Sequence, residues 1–326
     1  MTIENYKGII KVKQILLDFC LYEEIIMKIS VNTGSDSRFE LLKACGFDAC
    51  DFSLGNHFER SGSLGDIYNI SDSQIEEEFT RIREHGAKIG FEVGQTHSAF
   101  TGHPRNYDHD IDEIVARQIA SIKATHYAGS KHCVIHPVIK PGRRYDFLVK
   151  EAFDESVEFY KRLGDTLEKY DVYCCIENMW VCDPVYGHIC STILSHASEM
   201  VEMCEVLGDR YKICVDVGHG TLTQDDPCQM VRTCGDKLVC LHTHDNDGIL
   251  DLHSYPFTPA GKPAGTSWKP MRIDWTDFMK ALDDVNYRGN LNFEIGIPVP
   301  EALHEASLTY LADIGNYLVS LREIKY

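Results

Sequence analysis

From Met27 onward, short apolar runs alternate with amphipathic stretches along the chain. The runs are "KISVN", "ACDFSL", "KIGFEV", "HCVIHP", "VYCCIEN", "YKICVDV", "KLVCLHTH" and "NLNFEIG". Between them, "SDSQIEEEFTRIREHGAK" carries apolar residues at helical spacing behind Ser71 or Ser73, either of which serves as an N-cap. "DESVEFYKRLGDTLEKY" reads as a second such helix. Eight strand candidates separated by helices predict a (β/α)8 TIM barrel, in which parallel strands are joined by right-handed helical crossovers. No low-complexity linker or composition break interrupts residues 27–326, which are therefore read as one domain.

The polar positions within these runs carry the chemistry. Five runs stay apolar until a final residue of metal-ligand type: His136 in "CVIH", Glu177 in "CCIE", Asp216 in "ICVD", His244 in "CLHTH" and Glu294 in "LNFE". In a barrel all parallel strands point the same way, so these side chains converge on the C-terminal mouth, where barrel active sites are built. One such residue alone reads as a hydrogen-bonded strand end. Several carboxylates and imidazoles gathered in a low-dielectric mouth repel one another unless a cation compensates them. Oxygen and imidazole donors without thiolate suit Mn2+, Mg2+, Co2+ or Zn2+.

Composition narrows the classes of function. The 326 residues include 50 acidic and 32 basic side chains, a formal charge of −18, which opposes binding to a nucleic acid held through its phosphates. Thirteen cysteines form no CxxC pair and lie scattered in apolar runs, as buried reduced thiols of a cytoplasmic protein do. Residues 1–26 contain "IIKVKQILLDFCLYEEII", too charged for a membrane span and without a small-residue cleavage site. They are read as an N-terminal extension outside the barrel.

The motifs "IENMW", "VDVGH", "HTHDNDGILDLH", "IDW" at Ile273 to Trp275 and "NFEIG" resemble, in that order, those of the sugar-phosphate isomerase/epimerase group of xylose isomerase-like TIM barrels. The resemblance runs from Met27 to the C-terminus. It implies that Glu177, Asp216, His244 and Glu294 hold one divalent metal, with His219 on the substrate side or at a second metal. His242, one layer deeper in the same strand, orients a ligand from behind. Asp251 and His253 fall on the following loop. The implied activity is metal-dependent isomerisation or epimerisation of a sugar, sugar phosphate or inositol derivative, by proton transfer through an enediolate with Glu177 and Glu294 as the acid–base pair. Trp180, Phe100, Tyr255, Phe257 and Trp268 are candidates for an apolar substrate wall, and Arg143, Arg144 or Arg272 for a phosphate or carboxylate. The Pro- and Gly-containing loop from Ser254 to Arg272 reads as a lid or a contact in a homo-oligomer.

The same superfamily includes AP endonucleases with three zinc ions, and His97, His136, Glu177, Asp216, His219, His244, Asp251, His253 and Glu294 supply a residue for each of their nine ligands. One metal ion is expected, with ligand types present for three. A third reading is a barrel that binds sugar without turning it over, disfavoured by the retention of both glutamates. The acidic chain and the wording of "ENMW" and "HTHDNDGILDLHSYP" favour the small-molecule enzyme over the phosphodiesterase. Incubation with DNA carrying an abasic site should therefore give no detectable incision, while turnover of a sugar substrate should persist at high salt, where phosphate contacts are screened. Robust incision, abolished by replacing His97, would reverse that preference.

Overall fold

The computed structural model describes residues 27–58, 63–65, 67–100, 110–139, 145–183, 185–257, 273–297 and 299–322. The N-terminal extension, Arg143, Arg144, Trp268, Arg272 and all but the start of the Ser254 to Arg272 loop lie outside them. Ten strands follow in chain order: β1 (Ile29–Thr33), β2 (Ala49–Ser53), β3 (Glu92–His97), β4 (His132–Ile135), β5 (Tyr173–Glu177), β6 (Trp180–Cys182), β7 (Ile189–Ser191), β8 (Tyr211–Asp216), β9 (Leu238–His242) and β10 (Leu291–Phe293).

Eight of them form one parallel sheet in the order β10-β1-β2-β3-β4-β5-β8-β9. The ring closes where Thr243 pairs with Phe293 and its amide donates to the Asn292 carbonyl at 2.8 Å. This is the (β/α)8 barrel that the alternation of runs predicts. The remaining strands, β6 and β7, make an antiparallel hairpin after β5, which the sequence pattern did not suggest. Among the described residues no helix is long and apolar enough to cross a membrane.

Strands buried on both faces explain the near-continuous apolar runs. Outward-facing Ile29, Val31, Phe52, Ile135, Ile176 and Ile213 join the large core between sheet and helices, whereas Val134, Cys175, Cys214 and Cys240 form a small second cluster. All twelve cysteines among the described residues are free, and ten of these are buried.

Two elements differ from the sequence pattern. "KIGFEV" was read as a strand, but Lys88 and Ile89 finish the helix Asp72–Ile89. Gly90 caps that helix in the left-handed region at φ 68°, so β3 starts only at Glu92 and reaches His97. "DESVEFYKRLGDTLEKY" is not one helix either: Tyr145–Lys161 and Gly164–Tyr170 are separate. At the break the amides of Arg162 and Leu163 bond to carbonyls three residues back rather than four, tightening the turn before Gly164.

The structure decides between the two serines before the long helix. Ser71 is the N-cap: its hydroxyl accepts from the Gln74 amide at 3.3 Å, and the Gln74 side chain accepts from the Ser71 amide at 2.9 Å, a capping box. Ser71→Ala should therefore lower stability by about 1 kcal/mol in a urea titration. Ser73→Ala, at an exposed position inside the helix, should stay within about 0.5 kcal/mol of the parent.

Candidate metal centre and active site

Because the barrel strands are parallel, their last residues rise into one mouth. His97, Glu177, Asp216 and His242 are the final residues of β3, β5, β8 and β9, while His136 and Glu294 stand one residue beyond β4 and β10. Local wiring holds several of them. Asp216 ends its strand and also caps the short helix Val217–Leu222, its carboxylate accepting from the His219 amide at 2.6 Å. The Asn178 side chain grips the Asp216 backbone from both sides, donating to its carbonyl at 2.9 Å and accepting from its amide at 2.8 Å. The "IENMW" and "VDVGH" motifs are thus locked together across the β5–β8 edge.

The centre of the mouth is the Nδ1 atom of His242. It lies 3.0 Å from Glu177 Oε1, 3.2 Å from Glu294 Oε2 and 3.8 Å from Asp216 Oδ2. These four residues offer ligand atoms that all fall within 4.8 Å of one another. The motif resemblance implies His244 in the ligand set with His242 beneath it; here both imidazoles reach the carboxylates, His242 from the Asp51 side and His244 from above, in a group with His253 and Glu294. The β8–β9 ladder ends with Asp216 opposite His242, so His242 is the residue level with the strand-end carboxylates. His244, two positions on, is carried over Asp216, with Nε2 at 3.1 Å from Oδ2. Its ring stacks on His253 at 4.1 Å and lies where Gly218 leaves room: a Cβ there would come within 1.9 Å of the imidazole.

Four further groups overlap or flank the quartet among the described residues, two of them, His97, His242 and Glu294, and His244, His253 and Glu294, sharing Glu294 with it, and two standing to either side. His97, His136 and Glu177 form one, with His136 Nε2 at 2.9 Å from Glu177 Oε2 and at 3.0 Å from His97 Nε2. His219, Asp251 and His253 form the other, with Asp251 reached by His253 at 3.1 Å and by His219 at 3.6 Å. His97, His136, Glu177, Asp216, His219, His242, His244, Asp251, His253 and Glu294 therefore meet in one mouth.

Charge in this mouth is balanced pairwise. Burial is the largest influence on Glu177 and pushes its carboxyl up, but the charges and hydrogen bonds of His242 and His136 outweigh it and hold it well below the usual range. Asp216 follows the same pattern, with His219 and His244 overcoming burial to bring it to about 2. Burial pulls His97 down, yet the hydrogen bond and charge of Glu177 raise it to about 9, while for neighbouring His136 burial prevails and the shift is downward. His253 rises to about 9 against its burial through Asp251 and Glu294.

The proposed apolar wall separates into two sets. Phe100 lies 5.4 Å from the rings of both His97 and His136, and Trp180 meets His219 edge-on at 6.3 Å. Tyr255 and Phe257 instead pack toward the C-terminal helix His304–Ser320, Tyr255 through a 2.6 Å hydroxyl contact with Ser307 and Phe257 against Trp275 and Tyr317. One residue of the site escaped the sequence reading. Asp51, in the middle of β2 and 1% exposed, accepts from Gln95 at 2.9 Å and Asn292 at 3.3 Å and lies 2.9 Å from His242 Nε2. The available signal was a carboxylate inside "ACDFSL", a run otherwise fit to be buried on both faces.

Comparison with known proteins agrees with this architecture. The uncharacterized protein y4fM of Sinorhizobium fredii is 23% identical over 294 residues, covering 80% of this chain and 81% of the relative. A D-psicose 3-epimerase from Clostridium cellulolyticum H10, solved with D-tagatose, superposes with a TM-score of 0.63 at 17% identity over 90% of this chain and 99% of the other. An IolI protein with a bound zinc atom does so with a TM-score of 0.60 at 14% identity over 90% and 98%. At these identities the superpositions speak for the fold. Matched by its family model over residues 39–314, the chain belongs to the xylose isomerase-like TIM barrel family.

Proposed function

We propose that the protein is a divalent-metal-dependent isomerase or epimerase of a sugar or sugar-like ketone. The observation that carries this reading is the meeting of Glu177 and Glu294, from separate strands, at one nitrogen of His242 with Asp216 beside them. Three carboxylate groups and an imidazole, all but Glu294 buried, form a donor set suited to a hard or borderline divalent cation such as Mn2+, Zn2+, Co2+ or Mg2+. Glu177, Asp216 and Glu294 would hold it with an imidazole from this strand exit, either His242 at 3.0 Å from Glu177 or, as the motif resemblance implies, His244 at 3.1 Å from Asp216. When bound, such an ion acts as a Lewis acid toward a carbonyl and its neighbouring hydroxyl and acidifies the hydrogen on the carbon between them.

The protein's own groups then supply the proton traffic. One glutamate takes the proton from the carbon and leaves an enediolate; the other returns a proton, to the opposite face in an epimerisation or to the adjacent carbon in an aldose–ketose isomerisation. Glu177, 1% exposed, is fixed by His136 and His242, whereas the Glu294 side chain is 21% exposed and faces the open mouth. His219 holds its Nδ1 against the Asn178 carbonyl at 2.9 Å, which leaves Nε2 toward Asp251 and available to a substrate hydroxyl. Phe100 and Trp180 supply apolar faces beside these polar contacts, suited to the C–H face of a sugar ring. The D-psicose 3-epimerase solved with D-tagatose and the zinc-bound IolI protein share the fold, and that sugar and that metal are consistent with this assignment.

The two flanking groups, His97 with His136 and Glu177, and His219 with Asp251 and His253, favour one second reading: a trinuclear phosphodiesterase. The charge of −18 weighs against a polyanionic substrate. Elemental analysis of protein purified without chelator should find at least one equivalent of divalent metal, and extraction should abolish turnover; full activity in metal-free protein would refute the metal reading.

The acid–base pair is tested separately by Glu177→Gln and Glu294→Gln, which keep size and one oxygen donor but remove the base. Each should retain the fold and lose at least ~100-fold in turnover during a screen of ketoses and inososes in deuterated water. One of the two should still wash deuterium into a single substrate isomer without converting it. Near-normal turnover in both variants, with metal content verified, would exclude the two-glutamate mechanism.

A further inference from the structure

The barrel sheet runs out one rung too early for Asp216, and a side chain takes over. Arg210 turns its carbonyl to β5, accepting from the Cys174 amide at 2.9 Å, and residues an even number of positions further along β8 turn the same backbone edge to the same neighbour. Asp216 is one of them. The paired register of β5 and β8, however, stops at Glu177 opposite Cys214, and β5 itself ends there. The carbonyl next in line, that of Asn178, lies 2.9 Å from His219 Nδ1, and the chain goes on into β6, whose first residue, Trp180, meets His219 edge-on. The amide and carbonyl of Asp216, a residue 0% exposed, are thus left facing an edge where the strand has departed.

The Asn178 side chain fills that place. Its Oδ1 accepts from the Asp216 amide at 2.8 Å and its Nδ2 donates to the Asp216 carbonyl at 2.9 Å, so one primary amide presents the acceptor and donor that a neighbouring strand would have presented. Aspartate would lack the donor, and glutamine would carry the amide one methylene further out. With its backbone held, the Asp216 carboxylate is fixed as well. Oδ1 is taken by the His219 amide at 2.6 Å, which leaves Oδ2 to face the mouth, 3.1 Å from His244 and 3.8 Å from His242.

From this geometry we infer that Asn178 is a positioning residue for the metal centre: acting as an extra rung of the sheet, its side chain keeps Asp216 beside Glu177 with Oδ2 aimed at the ion, while the chain it belongs to leaves toward Trp180. The inference rests on the metal-site reading above and holds whichever of His242 and His244 completes the ligand set. The plain alternative is an amide that only secures the edge between β5 and β8. Such an amide grips backbone alone, so it would matter equally whatever side chain stood at position 216.

The test is a double-mutant cycle read by metal affinity rather than by turnover. Zn2+ and Mn2+ dissociation constants are measured by chelator competition for the parent, Asn178→Ala, Asp216→Ala and the double variant. Asn178→Ala should weaken binding by roughly 10- to 100-fold in the parent, the range for removing a residue that orients a metal ligand, and by less than about 3-fold when position 216 is already alanine. Equal losses in both backgrounds, or parent-like affinity in Asn178→Ala, would overturn the inference. Asn178→Ser, whose short hydroxyl cannot span both backbone groups, replaces the alanine variant should that one not fold, with the same outcomes. NMR of the parent checks the grip without any variant: a scalar coupling across the hydrogen bond from the Asp216 amide nitrogen to the Asn178 side-chain carbonyl carbon is expected, and coupling to a main-chain carbonyl instead would refute it. A parent that binds neither ion would remove the metal reading and this inference with it; a parent that binds while the variants match it would remove this inference alone.

Discussion

The imidazole of His242 stands between a carboxylate below and three carboxylates above, fully buried, and the rest of the mouth is arranged around that contact. Like charges at such distances in a poorly solvated interior are tolerable only with a positive group among them. Each framework feature serves that condition. Parallel strands bring the carboxylates to one end, the Asn178 clamp holds Asp216 level with Glu177, and the Asp216 cap on the next helix keeps its second oxygen occupied.

Glu177 deserves separate consideration, because it belongs both to the central quartet and to the group with His97 and His136. One of its oxygens faces His242 and the other faces His136. A carboxylate held by both oxygens has little freedom to swing, so its contribution is a fixed charge at a fixed place. Glu294, reached by His242 and, more loosely, by His253, is the partner with room to move. The two glutamates, alike in sequence, are therefore unlike in mobility.

Much of the fold was legible because period and length of the apolar runs are local properties. Seven of the eight runs overlap their strand substantially, and the eighth, "KIGFEV", was displaced toward His97 by a helix that persisted to its glycine cap. The convergence of His97, His136, Glu177, Asp216, His219, Asp251, His253 and Glu294 was likewise readable, since strand ends in a parallel barrel share a mouth. Which of His242 and His244 stands opposite Asp216 in the ladder was not. Side-chain alternation places both on the same face, and only the register between β8 and β9 says which one stands level with Asp216. Asp51 escaped for a related reason: it lies inside its strand rather than at the end, and its role depends on partners from β3, β9 and β10 that are distant in the chain.

The contact between Gly218 and the His244 ring reaches beyond the geometry of one turn. The space a methyl group would need at position 218 is filled by an imidazole from the next barrel strand's exit, so the two positions constrain each other across 25 residues of intervening sequence. With the ring at 244 in this place, position 218 has to stay bare, and a smaller residue at 244 would remove that demand. Enlargement at 218 is blocked while the ring stands at 244, so a side chain can appear at 218 only after 244 has been reduced.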